Sequence, residues 1–199
     1  MLDEVDRERA QLYRLMAVLL ARPPEAELLD MVGRLDPDAS TPLGNVLDGL
    51  AAAARRATVD EARREYGRLF IGVARGELMP YASYYITGFL MDRPLIAIRD
   101  ELARLGVERA DEVKEPEDHI AAELEVMAAL VERQVGAGPN DERRFFERQL
   151  AGWTPAFFRD LEQAESAEFY RPVGALGRLF ISLEREAFSF SPPLDTTAA

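Results

Sequence analysis

The sequence predicts an all-helical protein without a β-sheet. Apolar residues recur at helical spacing through most of the 199-residue chain, and no stretch alternates apolar and polar residues as a half-buried strand would. Proline and glycine recur at the ends of these segments, where they stop one helix or begin the next. With 48% hydrophobic residues, the chain can bury a substantial core. We therefore expect a multi-helix bundle, divided into two halves as set out below.

Four helices are predicted before residue 71. Amphipathic spacing predicts helices over 5–21 and 24–35, with Met31 facing inward in the second. Thr41 precedes a proline, so a preferred N-cap is followed by the residue best suited to the first helical position. Thr58 begins the capping box Thr-Val-Asp-Glu, which starts the fourth helix.

Residues 71–85 break the helical pattern. Aromatic residues crowd there beside two glycines and a proline. A connection of this length is usually functional or flexible, and its apolar content argues against flexibility. Two interpretations are equally supported by the spacing alone: a packed loop that lines a groove, and a loop held in place by core aromatics.

A charged connector separates the predicted halves. Asp92, followed by Arg-Pro, caps a helix that ends at Gly106, and residues 107–115 are mostly charged. Glu115 and Pro116 are predicted to form a hinge. The predicted divisions are an N-terminal half at 1–106, the connector at 107–115, a C-terminal half at 116–188 and a frayed tail at 189–199.

The segment 115–120, Glu-Pro-Glu-Asp-His-Ile, predicts a helix that begins at Pro116. Proline suits the first turn, and the neighbouring carboxylates favour the positive end of the helix dipole. On this pattern Asp118 faces solvent, and His119, the only histidine of the chain, lies at the edge of the buried face. The buried stripe is predicted to contain Ile120, Leu124, Met127 and Val131.

Three further helices are predicted toward the C-terminus. Asn140 caps one that carries two phenylalanines, and Thr154 followed by proline begins the next. The last is predicted over 169–188, with Leu183 among its buried residues.

Composition excludes several classes of function. The net charge of −12 disfavours binding to nucleic acid or anionic lipid, since both need clustered Lys and Arg, and it favours a cationic partner. The absence of cysteine and the single histidine leave little from which to build a metal site. No run approaches the roughly 18 apolar residues of a membrane span, and the N-terminus is acidic, unlike a secretory signal. We expect no membrane insertion and a cytoplasmic protein.

Three blocks of the sequence resemble the TorD/DmsD/NarJ family of chaperones. The first is segment 115–120 with the Glu-Leu and Met that follow it, and the second comprises 66–72 and 80–85. The third runs over 145–184, where Phe-Phe, Trp and later aromatic residues fall in the family's order. The chain departs from the family at Gln149, where many relatives carry histidine, and it lacks tryptophan near Tyr66 and Tyr81.

This resemblance implies a cytoplasmic chaperone for the catalytic subunit of a molybdenum oxidoreductase. It implies binding of the twin-arginine leader and of the apoenzyme, help with cofactor insertion, and delay of export until folding is complete. No catalysis and no cofactor of its own are expected. Because family members exchange domains near the segment that holds Glu115 and Pro116, a monomer or a domain-swapped dimer is expected.

The binding hypothesis joins a carboxylate pair to an apolar surface. Asp118, with Glu117 nearby, would bind a guanidinium through charge-assisted hydrogen bonds. His119 would donate or accept a hydrogen bond, with a charge state that responds to pH near neutrality. The hypothesis requires Asp118 and His119 to be accessible beside an apolar concavity. The predicted contact residues are Asp118, His119, Glu117, Tyr66, Leu69, Phe70, Pro80 and Tyr81.

Two alternatives remain open on the residues alone. Glu115, His119 and Glu123 stand four apart and could lie along one helix edge, which would suit a helical-bundle metalloenzyme. Ordinary pairing along a helix edge explains the same spacing more simply, so we expect no metal site. The other alternative is an acidic adaptor without leader specificity.

Overall fold

The regular secondary structure in the described part of the chain is helical. The computed structural model describes residues 2–73, 75–110, 113–136, 138 and 140–190. These residues form ten α-helices and two π-helical segments, and they contain no strand. One isolated β-bridge among them pairs Tyr81 with His119. The predicted all-helical class is confirmed.

The helices follow one another with short connections. In chain order they are α1 (Glu4–Ala21), α2 (Ala26–Gly33), α3 (Pro42–Arg56), α4 (Val59–Tyr66), π1 (Gly67–Ile71), α5 (Ala82–Thr87), α6 (Arg93–Leu105), α7 (Ile120–Val131), α8 (Asp141–Phe145), π2 (Phe146–Leu150), α9 (Thr154–Gln163) and α10 (Tyr170–Phe190).

Local caps set several helix boundaries as predicted. The Thr41 side chain accepts a backbone N–H from the first turn of α3. Thr58 and Glu61 form the reciprocal capping box of α4. Asp92 caps α6, and Gly106 ends that helix in the left-handed conformation with a φ of 69°.

Two predictions of inward-facing residues are wrong. Met31 on α2 is 55% exposed, and Leu183 on α10 is 42% exposed. Each helix buries a narrower stripe than its apolar content suggests, and α2 buries only Leu29 and Val32. The last helix extends to Phe190, beyond the predicted end, and residues 191–199 of the predicted tail lie outside the described residues.

The chain divides into two compact units that interleave along the sequence. Unit 1 comprises the residues up to Ala17, Tyr81–Trp153 and those from Ser182 onward. Unit 2 comprises Val18–Pro80 and Thr154–Ile181. The predicted connector at 107–115 therefore falls inside unit 1, and α1 and α10 each contribute residues to both units.

Unit 1 has an apolar core, and hydrogen bonds to buried or partly buried glutamates link its helices. The predicted stripe of α7 is buried as expected, with each member at most 1% exposed; burial of one such side chain contributes about 2 kcal/mol. Arg9 on α1 donates to Glu184 at 2.7 and 2.6 Å and to Glu142 at 2.5 Å. Tyr13 also donates to Glu184, at 2.9 Å. These bonds fix α1 against the end of α10 and against α8 within this unit.

In unit 2, two acidic side chains hold the approach to α10. Glu65 is buried and accepts the backbone N–H groups of residues 168, 169 and 170 at 2.8, 3.0 and 2.7 Å. Glu77 accepts those of residues 165 and 166 at 2.6 and 3.1 Å. The loop that carries Glu77 also returns to π1, because Leu78 N–H donates to the carbonyl of Leu69 at 2.8 Å. The irregular segment is therefore fixed by hydrogen bonds at Glu77 and Leu78. Its predicted end at residue 85 is wrong, because α5 begins at Ala82.

None of the described helices combines the length and the hydropathy that crossing a bilayer requires.

Candidate functional site

The signature segment forms a turn before α7. The carbonyl of Pro116 accepts the N–H of His119 at 3.1 Å, and α7 begins only at Ile120. The predicted helix start at Pro116 is therefore wrong. The N-cap is His119, whose Nδ1 accepts the Ala121 N–H at 3.2 Å, so the ring proton lies on Nε2.

His119 is buried and neutral. It is 5% exposed, and burial lowers the pKa of its imidazole from 6.5 to about 4, against the opposing charges of Glu115 and Asp118. The prediction that His119 changes charge near neutrality is wrong, because an unprotonated Nδ1 is needed for the cap and the ring has little contact with water.

Asp118 caps a different helix from the one it precedes. Its Oδ2 accepts the Ser83 backbone N–H at 3.0 Å and the Ser83 hydroxyl, in the first turn of α5. The Asp118 carbonyl accepts the N–H of Ala82 at 2.9 Å. The prediction that Asp118 faces solvent is wrong: the residue is fully buried, because its carboxylate and its carbonyl each accept one of the free N–H groups at the start of α5.

Tyr81 covers the signature turn. Its backbone forms the isolated bridge with His119, and its ring meets the imidazole edge-on with the centroids 5.1 Å apart. The Tyr81 hydroxyl donates to Glu115 Oε2 at 2.5 Å. Tyr81 itself remains partly exposed, and it shields His119 from solvent.

Glu123 is a buried acid on α7. Its Oε2 accepts the indole N–H of Trp153 at 3.0 Å. Burial raises the pKa of Glu123 well above its ordinary value; the Trp153 hydrogen bond opposes this shift and the charge of Asp118 adds to it. Among the described residues, Asp118 Oδ1 and Glu123 Oε1 are the buried side-chain oxygens without a hydrogen-bond partner.

The predicted helix edge of Glu115, His119 and Glu123 does not exist. Glu115 lies before α7 and is exposed, whereas Glu123 is fully buried on the helix. Within the described ranges, no group of three His, Cys, Asp or Glu side chains is placed to hold a metal ion.

The predicted aromatic surface lies mostly in the core of unit 2. Leu69 and Pro80 are buried, and so is Tyr66, whose hydroxyl donates to the Leu20 carbonyl at 3.2 Å. Phe70 is partly exposed and packs edge-on against Tyr66, with the ring centroids 4.9 Å apart. Among the predicted contact residues, Phe70, Tyr81 and Glu117 therefore retain exposed surface.

The structure contains an apolar cavity that the sequence analysis missed. It has a volume of about 320 Å³ and lies in unit 1 between the end of α6, the connector and the outer face of α7. We call it the α7 cavity. Its lining residues are Leu102, Val107, Glu108, Arg109, Ala110, Val113, Glu115, Glu117, Ala122, Glu125, Val126, Ala129 and Val135.

Acidic residues outnumber basic ones around this cavity. Four glutamates and one arginine are among its lining residues, and the other eight are apolar. A sequence signal for it exists in α7, where Ala122, Val126 and Ala129 form a second apolar stripe beside the buried one. A helix that is apolar on two faces has a surface available for a partner.

Glu117 lies at the edge of the α7 cavity between two arginines. Arg99 Nε donates to its Oε2 at 2.9 Å, and Arg109 Nε lies 3.4 Å from its Oε1. Burial would raise the pKa of Glu117, but its hydrogen bonds and the charges of Arg99 and Arg109 outweigh burial and lower it. The carboxylate is therefore ionised at neutral pH.

A comparison with protein families shows the family to which the chain belongs. A family model described as nitrate reductase delta subunit matches residues 36–159, which include the whole signature turn. The chain belongs to this family. The resemblance to TorD/DmsD/NarJ proteins that the motifs predicted is thereby confirmed.

Proteins named TorD chaperones match nearly the whole chain. The chaperone protein TorD of Vibrio atlanticus is 28% identical over 203 residues, which cover 91% of this chain and 94% of the relative. The TorD chaperone of Aliivibrio fischeri is 25% identical over 205 residues, covering 92% and 95%.

A solved structure shares the family fold. A proposed redox enzyme maturation protein from Archaeoglobus fulgidus matches with a TM-score of 0.59 and 23% identity, covering 87% of this chain and 93% of that chain. At this level of identity, the likeness supports the fold alone.

Proposed function

We propose that this chain is a cytoplasmic chaperone that matures a molybdenum oxidoreductase. It binds the twin-arginine leader and the apo form of the catalytic subunit, assists cofactor insertion and delays export until the client has folded. Membership of the nitrate reductase delta subunit family and similarity to proteins named TorD chaperones support this class of function.

The acidic rim of the α7 cavity is the observation that carries the proposal. A twin-arginine leader combines guanidinium groups with an apolar segment, and the cavity offers glutamate side chains beside an apolar surface. A volume of about 320 Å³ is enough for one or two apolar side chains and lies at the small end of ligand pockets. The net charge of −12 adds a long-range attraction for a cationic peptide.

The signature residues divide into contact and positioning roles in this proposal. Glu115 and Glu117 line the cavity and bind guanidinium. The sequence-based hypothesis required Asp118 and His119 to be accessible, and this requirement is not met, since both are buried. In the present proposal they act indirectly and fix the turn that presents the two glutamates. Tyr81 holds Glu115 through its hydroxyl and shares this supporting role.

The remaining predictions about the site concern unit 2 and the assembly. Phe70 keeps exposed surface for an apolar contact, whereas Tyr66, Leu69 and Pro80 support it from the core. The chaperone acts by binding, without turnover or a cofactor of its own, and it has no nucleic-acid partner. The alternatives of a monomer and a domain-swapped dimer, with a hinge near Pro116, stay predictions.

Calorimetric titration with a twin-arginine leader peptide tests the assignment. Val126→Arg places a cation inside the α7 cavity and should weaken binding at least about tenfold, because it fills apolar space and occupies the carboxylates. Ile96→Arg is the matched control, since Ile96 is an exposed apolar residue of unit 1 outside the cavity lining.

Equal loss of affinity in both variants would show that general charge, and not the cavity, governs binding. A twin-lysine peptide serves as the second ligand. Lysine lacks the planar fork that binds a carboxylate bidentately, so the twin-lysine peptide should bind more weakly to the wild-type chain. Equal affinity for both peptides would favour an acidic adaptor without leader specificity.

A further inference from the structure

The two carboxylate oxygens of Glu117 are held by different arginines. Arg99 on α6 places both Nε and Nη2 2.9 Å from Oε2. Arg109 on the connector approaches Oε1 at 3.4 Å, and its Nη1 donates to the Glu115 carbonyl at 3.2 Å. The Arg99 contact has one hydrogen bond and a second nitrogen at the same short distance, whereas the Arg109 contact with the carboxylate is single and long.

Arg109 is also part of a wall between two cavities. A second cavity of about 290 Å³ lies on unit 1 beside the α7 cavity. The residues that line both cavities are Leu102, Val107, Glu108, Arg109 and Glu117. The contact between Arg109 and Glu117 thus joins the connector to the signature turn at the boundary between the two cavities.

Arg109 presents to Glu117 the same group that a leader arginine would bring. A peptide guanidinium that seeks the Glu117 carboxylate meets Oε1 already paired with Arg109, whereas Oε2 is fixed by Arg99. Exposed ion pairs are weak, and the side chains of Arg109 and Arg99 are 40% and 53% exposed. The Arg109 contact is the longer of the two, at 3.4 Å against 2.9 Å, so it is the one that exchanges.

We propose that Arg109 is a resident occupant of the guanidinium site on Glu117, and that a peptide arginine must displace it to bind. The inference rests on the proposed leader binding at the α7 cavity. Displacement releases the connector from the signature turn, which opens the wall and joins the two cavities into one longer groove. Competition with Arg109 then lowers the affinity of the site, so that only a peptide that binds Glu117 more strongly than Arg109 does is retained.

Arg99 has a different role from Arg109. It lines only the second cavity and holds Glu117 through the Nε hydrogen bond, with Nη2 at the same distance, so it orients the carboxylate for an incoming guanidinium. Removing Arg99 should therefore not favour binding, although it removes the same charge as removing Arg109. The two arginines form a matched pair for a test.

The test is the affinity of the twin-arginine leader peptide for Arg109→Gln, Arg99→Gln and the wild-type chain. Arg109→Gln should bind about two- to fivefold more tightly, which is the range set by an exposed ion pair. Arg99→Gln should show no gain. Arg93→Gln, an exposed arginine of α6 that lines neither cavity, controls for the change in net charge.

Coupling to Glu117 decides whether any gain arises from release of this carboxylate. In the Glu117→Gln background, Arg109→Gln should give no further tightening, because no carboxylate is left to release. A gain that persists there, or an equal gain in Arg93→Gln, overturns the inference.

The outcomes also separate this inference from the proposed function. Peptide binding by the wild-type chain with no gain in Arg109→Gln overturns the resident-arginine proposal alone. Absence of peptide binding in all variants and in the wild-type chain overturns leader binding itself. Circular dichroism confirms that each variant keeps its helices.

Discussion

His119 should make the protein lose stability between neutral and mildly acidic pH. In the folded chain the imidazole is buried, and its pKa falls from 6.5 to about 4. Between these values the unfolded chain binds a proton that the folded chain does not. The contribution of His119 to the free energy of unfolding is therefore fully present above pH 6.5 and is lost as the pH falls toward 4.

The size of the effect follows from the two pKa values. The difference between 6.5 and about 4 sets a limit of about 3 kcal/mol, since each pH unit is worth about 1.4 kcal/mol. Going from about pH 7 to about pH 5 should cost about 2 kcal/mol of unfolding free energy. This is a large part of the stability of an ordinary domain.

The measurement compares urea unfolding of the wild-type chain and His119→Asn across this pH range. Asparagine is a preferred N-cap residue and can accept the Ala121 N–H in place of Nδ1. His119 is the only histidine, so no other imidazole titrates in this range. The carboxylates are the same in both proteins, so their effects cancel in the difference. From about pH 7 to about pH 5, the wild-type chain should lose about 2 kcal/mol more unfolding free energy than His119→Asn. Parallel curves would refute the burial of a neutral imidazole.

Two further predictions concern buried acids. Glu123→Gln should be more stable than the wild type at neutral pH, and its stability should fall less as the pH rises above about 4.5. The reason is that a raised pKa lowers the free energy of unfolding once the carboxyl ionises in the unfolded chain. Chemical unfolding at several pH values checks this, and a less stable variant at neutral pH would contradict it. Glu65→Ala should cost at least about 2 kcal/mol, because it leaves three backbone N–H groups of unit 2 without their acceptor. Thermal unfolding should show a smaller loss for Glu77→Ala, whose side chain is more exposed, and equal losses would mean that burial of Glu65 adds nothing.

Helix boundaries with local causes could be predicted from the sequence. Thr41, Thr58 and Asp92 each bond to a backbone N–H within a few residues, so the cap and its partner lie in the same short segment. Gly106 likewise ends α6 by adopting a left-handed conformation that suits glycine.

The environment of Asp118 could not be predicted from its neighbours. Its partner Ser83 lies 35 residues earlier, and nothing in the acidic segment indicates which helix its carboxylate would cap. The same contact explains why the turn is buried. The carboxylates of this segment that line the α7 cavity are therefore those of Glu115 and Glu117, and not that of Asp118. The motif predicted accessible side chains at Asp118 and His119, and that part of the prediction is wrong, because the exposure of each side chain depends on tertiary contacts.

The α7 cavity is a similar case. The second apolar stripe of α7 was present in the sequence, but a stripe becomes a cavity only where another segment lies beside it. Here that segment is the charged connector, whose composition indicated a boundary between halves. Its position within unit 1 depends on contacts such as that of Arg109 with Glu117, which pair residues of two loops.

Photo-crosslinking of a leader peptide tests the central claim most directly. A twin-arginine peptide with a photoreactive group in its apolar segment is irradiated with the wild-type chain, and the modified residues are mapped by mass spectrometry. The account predicts crosslinks to the outer face of α7 at Ala122, Val126 and Ala129 and to the connector at Val107. Crosslinks confined to exposed apolar residues elsewhere, such as Phe89, would contradict it.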